Sequence, residues 1–201
     1  MNVTIKHLGL QTYQTTWDAM QTFTANRTPE DLDEIWVVEH PAVYTQGQAG
    51  KAEHIINPTQ IPIVHSDRGG QVTYHGPGQL VIYLMLDLNR RHLGIRSLVT
   101  LLEQAVIDLL RDRNLNAVSR CDAPGVYVED AKICSIGLRS RRGYSYHGLA
   151  FNVDMDLSPF NNINPCGFKG LKMTQLKHYD PHCNLAEVTT ALIDHIVKQL
   201  A

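Results

Sequence analysis

The sequence predicts an α+β (mixed α/β) fold: a largely antiparallel or mixed sheet backed by helices. Three observations carry this. Apolar runs of strand length outnumber helical ones and do not alternate strictly with them. "GQLVIYLMLDL" is too continuously apolar for an edge strand and belongs at the centre of a sheet. "GVYVEDAKICSIGL" reads as a hairpin turning at Glu129-Asp130.

The elements follow in order. A short strand around Val3 to Leu8 precedes "TWDAMQTFTANR", where Trp17, Met20 and Phe23 fall near helical spacing. "EIWVVEH" is a buried strand that stops at Pro41. "PAVYTQGQAGKAEHIINPTQ" reads as loop, with turns at Gly47, Gly50 and Asn57-Pro58. "IPIVHSD" is a strand leading into "RGGQVTYHGPGQLVIY". "SLVTLLEQAVIDLLRDRN" has a wide apolar stripe, and Ser97 is its expected N-cap. "YSYHGLAFNVDMDL" is a further strand, and "NLAEVTTALIDHIVKQL" a final helix with Asn184 and Glu187 at capping-box spacing. With no linker, charge block or low-complexity tract, residues 1–201 are expected to form a single catalytic domain.

Composition narrows the function classes. Hydrophobic content of 43% and charged content of 19% are those of an ordinary globule. A net charge of -2 excludes strong non-specific attraction to nucleic acid, and no apolar run would span a bilayer. The N-terminus lacks the features of a secretory signal, so a cytoplasmic location is expected. Cys121, Cys134, Cys166 and Cys183 form no CxxC pair and are expected to be free thiols. No long exposed apolar seam is evident, so a monomer is expected.

Arg68 to Tyr83 concentrates glycine with arginine, tyrosine and histidine, the makings of a ligand-holding loop as well as of a plain turn. It is no phosphate loop, because no lysine lies between Lys51 and Lys132, and it lacks GxGxxG spacing. "TYHGPGQLVIYLMLDL" and "SYHGLAFNVDMDL" echo each other. Chance similarity of two apolar strands is one reading; two strand openings lining one pocket is the other, favoured by the shared Tyr-His-Gly. His178, His182 and Cys183 cluster in "KHYDPHC", but Pro181 and the missing fourth ligand favour a solvated loop, so no metal is expected.

In "NINPCGFKG", Cys166 sits between Pro165 and Gly167, with a helix expected to begin just after it; helix-end amides there would favour its thiolate. An inert thiol in a turn remains the alternative. Cys134 lies within a strand, Cys183 lacks a preorganised turn, and Cys121 adjoins Asp122. Lys132 and Cys134 would share one side of a regular strand. Lys132 is then either an exposed tip or a desolvated amine able to exchange protons with a thiol. Arg139, Arg141 and Arg142 form a basic hairpin end, either solvated or a dock for an acidic partner.

"RGGQVTYHGPGQLVIY", "GVYVEDAKICSIGLR", "YSYHGLAFNV" and "INPCG", in that order and spacing, resemble the lipoyl(octanoyl) transferases of lipoate biosynthesis. The resemblance runs from about Ile35 to Gln175, with no departure at the matching positions. It implies a fold similar to the catalytic core of biotin and lipoate protein ligases. It implies transfer of an octanoyl group from acyl carrier protein to a lysine of lipoyl domains of 2-oxoacid dehydrogenase complexes or of the glycine cleavage H protein. No cofactor is implied beyond the phosphopantetheine that the carrier brings. Cys166 matches the acyl-thioester nucleophile and Lys132 the lysine that activates it. Arg68, Gly69, Gly70, Gln71, Val72, Thr73, Tyr74 and His75 match one substrate-binding segment; Ser135, Ile136 and Gly137 match a second, and Gly148, Leu149 and Ala150 a third. The oxyanion site is expected at Gly167 or at the Gly69-Gly70 turn, and neutral Lys132 is the expected proton acceptor. The rivals are an ATP-dependent ligase on the same scaffold, in which Cys166 would have no role, and a non-catalytic module that binds acyl groups or carrier protein.

Overall fold

The structure is a computed structural model that describes residues 3–57 and 60–201. Pro58, in the expected Asn57-Pro58 turn, lies outside the described residues. In chain order the main elements are β1 (Val3–Leu10), α1 (Tyr13–Asn26), β2 (Asp33–Glu39), β3 (Val43–Gln46), β4 (Ile63–His65), β5 (Val72–His75) and β6 (Gln79–Met85). There follow α2 (Ile95–Arg111), β7 (Val118–Ser119), β8 (Gly125–Val128), β9 (Ala131–Arg141), β10 (Tyr144–Asn152) and α3 (Leu185–Leu200).

Among the described residues the strands form two sheets. The larger runs β1-β2-β6-β10-β9-β8-β7, and the smaller runs β4-β3-β5. In the larger, only the β1–β2 pair is parallel; in the smaller, β3 pairs β4 in parallel and β5 antiparallel. The mixed, mainly antiparallel sheet matches the expectation from the sequence. β6 is buried along its whole length because both of its faces are covered. Leu80, Ile82 and Leu84 join the core built with α2 and α3, while Val81, Tyr83 and Met85 join a second core that includes Met20 of α1 and Trp36 of β2.

The local signals behave as physical chemistry requires, with three exceptions. Asn184 caps α3 through Oδ1, which accepts the Glu187 N–H at 2.9 Å. Glu129 and Asp130 both take positive φ, 48° and 64°, as a two-residue hairpin turn demands. Ser97 is not a cap: α2 starts earlier, behind Gly94, because Ile95 and Leu98 already belong to the buried stripe. "VYTQ", expected in a loop, is the central strand β3, paired on both sides. No helix begins just after Cys166; a single 3₁₀ turn spans Pro165–Gly167.

Asp33 ties the sheet together. Its carboxylate accepts from Arg27, from Arg90 Nη2 at 2.7 Å, from Arg91 Nε and from the Asp87 N–H at 2.8 Å. Burial would raise its pKa, but the Asp87 amide and the arginines outweigh that and hold it below the ordinary value. Asp33→Asn should cost about 3–5 kcal/mol in urea unfolding, because three cations would lose their counter-charge, two of them nearly buried. A depressed folded-state pKa gives stability that is present above the unfolded value, near 3.9, and is lost as pH falls through the folded one. The difference between wild type and variant should therefore shrink in acid.

Candidate active site

The site forms where the "NPCG" turn meets the start of β9. Lys132 Nζ lies 3.1 Å from Cys166 Sγ and donates to the Pro124 carbonyl at 2.9 Å. Lys132 is fully buried and its Nζ stands 5.3 Å above the Tyr127 ring. Burial of this amine, the largest influence on it, favours the neutral form, but the sulfur and Tyr127 outweigh burial and raise its pKa. With the free sulfur beside it, Lys132 therefore favours the ammonium.

A β-bulge aims that lysine. Tyr127 pairs with Lys132 and Val126 with Cys134, leaving Ile133 as the extra residue. Ile133 and Cys134 both enter the core under α2, so the regular alternation is broken and Lys132 does not share the face of Cys134. Gly125, φ +136°, makes room for the lysine stem: a Cβ there would lie 2.9 Å from Lys132 Cε and 2.4 Å from the Cys134 carbonyl. Its N–H is held by Glu103 at 2.9 Å. Backbone bonds from Lys132 N–H to the Lys172 carbonyl, and from Thr174 N–H to the Lys132 carbonyl, pin the chain that follows Cys166 to the same strand.

Cys166 is left-handed at φ 56°, ψ 15°, a conformation unfavourable for a residue with a side chain. Pro165 and Gly167 flank it, and the turn is bound to a second segment through the Asn164 N–H to the His54 carbonyl (2.7 Å) and the Ile55–Ile163 bridge. The thiol owes its partner to this turn and to Lys132; no helix dipole contributes. The other cysteines lack such a setting. Cys134 is fully buried and its pKa is pushed far up by burial; Cys183 is raised by burial and by Asp180; Cys121 is exposed.

A narrow cleft of about 50 Å³ runs from Cys166 across β9 and β10 to β6. Of the residues expected from sequence, Arg68, Gly70, Gln71, Val72, Thr73 and His75 line one wall. Ser135, Ile136 and Gly137 of β9 with Gly148, Leu149 and Ala150 of β10 line the other. Gly69 and Tyr74 do not line it. Gly69 donates to the Leu138 carbonyl at 3.0 Å, and a Cβ on Gly137 would lie 3.0 Å from the Gly69 carbonyl, so these glycines let loop and sheet meet. Tyr74 turns away into a separate core, with Tyr44 and Phe160.

Both halves of the Tyr-His-Gly echo reach the cleft, through His75 and His147. Tyr13, Val81 and Tyr83 also line it and were not expected from sequence; Tyr13 stacks on both histidines, 5.8 Å and 6.5 Å between centroids. Burial keeps the imidazoles neutral: His40, beside them, is lowered to about 4, and His75 and His147 are lowered too.

Arg68 is the one buried cation along the wall among the described residues, and its partners are neutral: Thr45 Oγ1 and the carbonyls of Thr45, Gly69 and Gln71, at 2.6–3.1 Å. It fixes the loop and leaves a positive charge uncancelled by any carboxylate contact. The Gly167 N–H is taken by the Asn164 carbonyl and the Gly69 N–H by the Leu138 carbonyl, so of the amides expected for an oxyanion only that of Gly70, which lines the cleft, is not bound in this way. Of the basic cluster, Arg141 ends β9 about 30 Å from Lys132 at strand rise, Arg142 follows it, and Arg139 donates to Gln48 Oε1 at 2.6 Å; none of the three lines the cleft. Among the described residues no group of three or more His, Cys, Asp or Glu side chains could hold a metal, and no helix is long and apolar enough to cross a membrane.

Comparison with known proteins gives the family. Residues 12–197 match the family described as lipoyl protein ligase A/B catalytic domain. The chain is 58% identical over 196 residues to an octanoyltransferase of Pseudomonas entomophila, covering 98% of this chain and 91% of that protein. It is 56% identical to an octanoyltransferase of Shewanella denitrificans, covering 98% and 86%. A lipoate-protein ligase A crystal structure with bound ATP shares the fold, with a TM-score of 0.83 at 17% identity over 100% of this chain and 86% of the other. Its likeness to a ligase is one of scaffold, while the sequence sides with the transferases: this chain belongs to the octanoyltransferases of the lipoyl protein ligase A/B catalytic-domain family.

Proposed function

We propose that this chain, acting as one cytoplasmic catalytic domain, moves an octanoyl group from acyl carrier protein to a lysine of a lipoyl domain or glycine cleavage H protein through a thioester on Cys166. Membership of the octanoyltransferases supports the acyltransferase chemistry. The 3.1 Å contact between Lys132 Nζ and Cys166 Sγ is the observation that carries the mechanism.

The Cys166 thiolate attacks the thioester carbonyl, forming the new C–S bond and an oxyanion, which the uncancelled charge of Arg68 favours. Collapse of this intermediate expels the phosphopantetheine thiolate, which takes a proton from the Lys132 ammonium. Acylation removes the sulfur's negative charge. Burial then dominates at Lys132 and stabilises the neutral amine. That amine accepts a proton from the incoming lysine, which attacks the acyl-enzyme and expels Cys166 as thiolate. The second amine proton passes to solvent, and the pair of charges is restored. Lys132 thus alternates between acid and base because its partner alternates between charged and neutral. No cofactor takes part beyond the carrier's own arm.

Intact-protein mass spectrometry after mixing with octanoyl-carrier protein tests this. A single octanoyl adduct mapping to Cys166, discharged by a lipoyl domain without ATP, is expected. An adduct on Cys121 or Cys134, or pyrophosphate release from ATP with no adduct, would overturn it.

A further inference from the structure

Glu103 is out of keeping with its place on α2. It lies on the buried stripe of the helix, 9% exposed, beside Leu102, Ala105 and Val106, which are fully buried. A carboxylate set among apolar side chains carries a desolvation cost that only good partners offset. Its hydrogen-bonded partner among the described residues is the N–H of Gly125, 2.9 Å from Oε1. Burial raises its pKa, while that N–H and the charge of Lys132 favour the carboxylate.

The same peptide group has a second partner. Its carbonyl, that of Pro124, accepts from Lys132 Nζ at 2.9 Å. No peptide bond among the described residues is cis, and in a trans peptide the N–H and the C=O point in opposite directions. An N–H held toward α2 therefore turns the carbonyl toward Lys132. The backbone alone leaves this orientation open, because glycine at position 125 lets the peptide before it turn over. The Tyr127 hydroxyl holds the preceding carbonyl, that of Ala123, at 2.7 Å, so the rest of the turn has its own anchor. One line of contacts thus runs from α2 to the sulfur: Glu103 Oε1, the Pro124–Gly125 peptide, Lys132 Nζ, and Cys166 Sγ 3.1 Å beyond it.

We propose that Glu103 is a positioning residue for the reaction: it orients the Pro124–Gly125 peptide so that the Pro124 carbonyl holds Lys132 Nζ against Cys166. Its effect on turnover rests on the acyl-transfer reading above; its effect on the Lys132–Cys166 contact does not. Glu103 acts through the peptide and the lysine, and not on the sulfur directly. An acceptor oxygen at the right distance is what the peptide needs. Glutamine supplies one, a hydrocarbon side chain does not, and aspartate holds its own one methylene short.

The test compares Glu103→Leu with Glu103→Gln. Leucine suits the apolar stripe, and urea unfolding checks that the variant folds. In Glu103→Leu, octanoyl transfer should fall by about tenfold in kcat with KM little changed, because the lost hydrogen bond loosens the lysine and not the substrate. Alkylation of Cys166 by iodoacetamide at pH 7 should slow by about the same factor. Glu103→Gln should restore both rates close to wild type. A folded Glu103→Leu that transfers and alkylates like wild type would overturn the proposal. So would a Glu103→Gln as impaired as Glu103→Leu, since the effect would then belong to the charge and not to the hydrogen bond. If Glu103→Leu does not fold, Glu103→Asp takes its place, and wild-type alkylation in that variant overturns the proposal. If wild type itself forms no octanoyl thioester, the acyl-transfer reading fails separately, and the alkylation series alone judges Glu103.

Discussion

Cys166→Ala is expected to lower octanoyl transfer by about a thousandfold or more while leaving the fold intact. The thiol is only partly buried and sits in a turn held by other groups: Pro165, Gly167, Asn164 and the Ile55–Ile163 bridge. Removing Sγ therefore deletes the nucleophile without deleting the scaffold. Alanine also loses little at φ 56° that cysteine did not already bear. Steady-state transfer to a lipoyl domain gives the rate, and urea unfolding gives the control. A variant that kept a tenth of its activity would show that acyl transfer bypasses this sulfur.

The second large effect is at Lys132. Lys132→Met keeps the length of the stem and removes the charge, and should lower transfer by about 10²–10⁴-fold. Both half-reactions suffer, since one needs the ammonium as acid and the other the amine as base. Alkylation of Cys166 by iodoacetamide at pH 7 should slow by at least about tenfold, because the variant loses the ammonium that contacts the sulfur at 3.1 Å. The raised folded-state pKa of Lys132 sets the pH window. The contribution of the lysine's own raised pKa is fully present below the unfolded lysine value, near 10.4, and is lost only as pH rises through the folded one. Alkylation rates that match wild type from pH 6 to 9 would remove Lys132 from the mechanism.

Much of this was legible in the sequence, because period and turn chemistry are local signals. β6, the hairpin at Glu129-Asp130 and the Asn184 cap could be read directly, and the "NPCG" turn marked the thiol that lies 3.1 Å from Lys132. What stayed hidden depends on contacts between distant segments. Val43–Gln46 looks like loop because glycines and a proline surround it; only pairing with both β4 and β5 makes it a strand. The extra residue at Ile133 leaves no mark in the sequence, yet it turns Lys132 toward Cys166. Tyr13 and Tyr83 read as ordinary core positions on a helix and a strand. Their place in the cleft follows from how α1 covers the sheet. Tyr74 was misplaced because its neighbour His75 points to the cleft, and adjacent residues of a strand face opposite ways.

The place of β10 between β6 and β9 has a consequence for how activity is gained and lost. β10 pairs with β6 across some 65 residues of chain, as Gly148–Tyr83 shows, and the cleft is made from Tyr13, Arg68, His147 and Cys166. No short contiguous fragment holds these groups, and high contact order of this kind makes the last pairings slow to form. Catalytic competence should then return only with complete refolding, and disappear in a single step with it. Activity becomes a readout of global cooperativity rather than of any local region. A cut in the β9–β10 hairpin, far from the thiol, should silence the enzyme as effectively as one beside it.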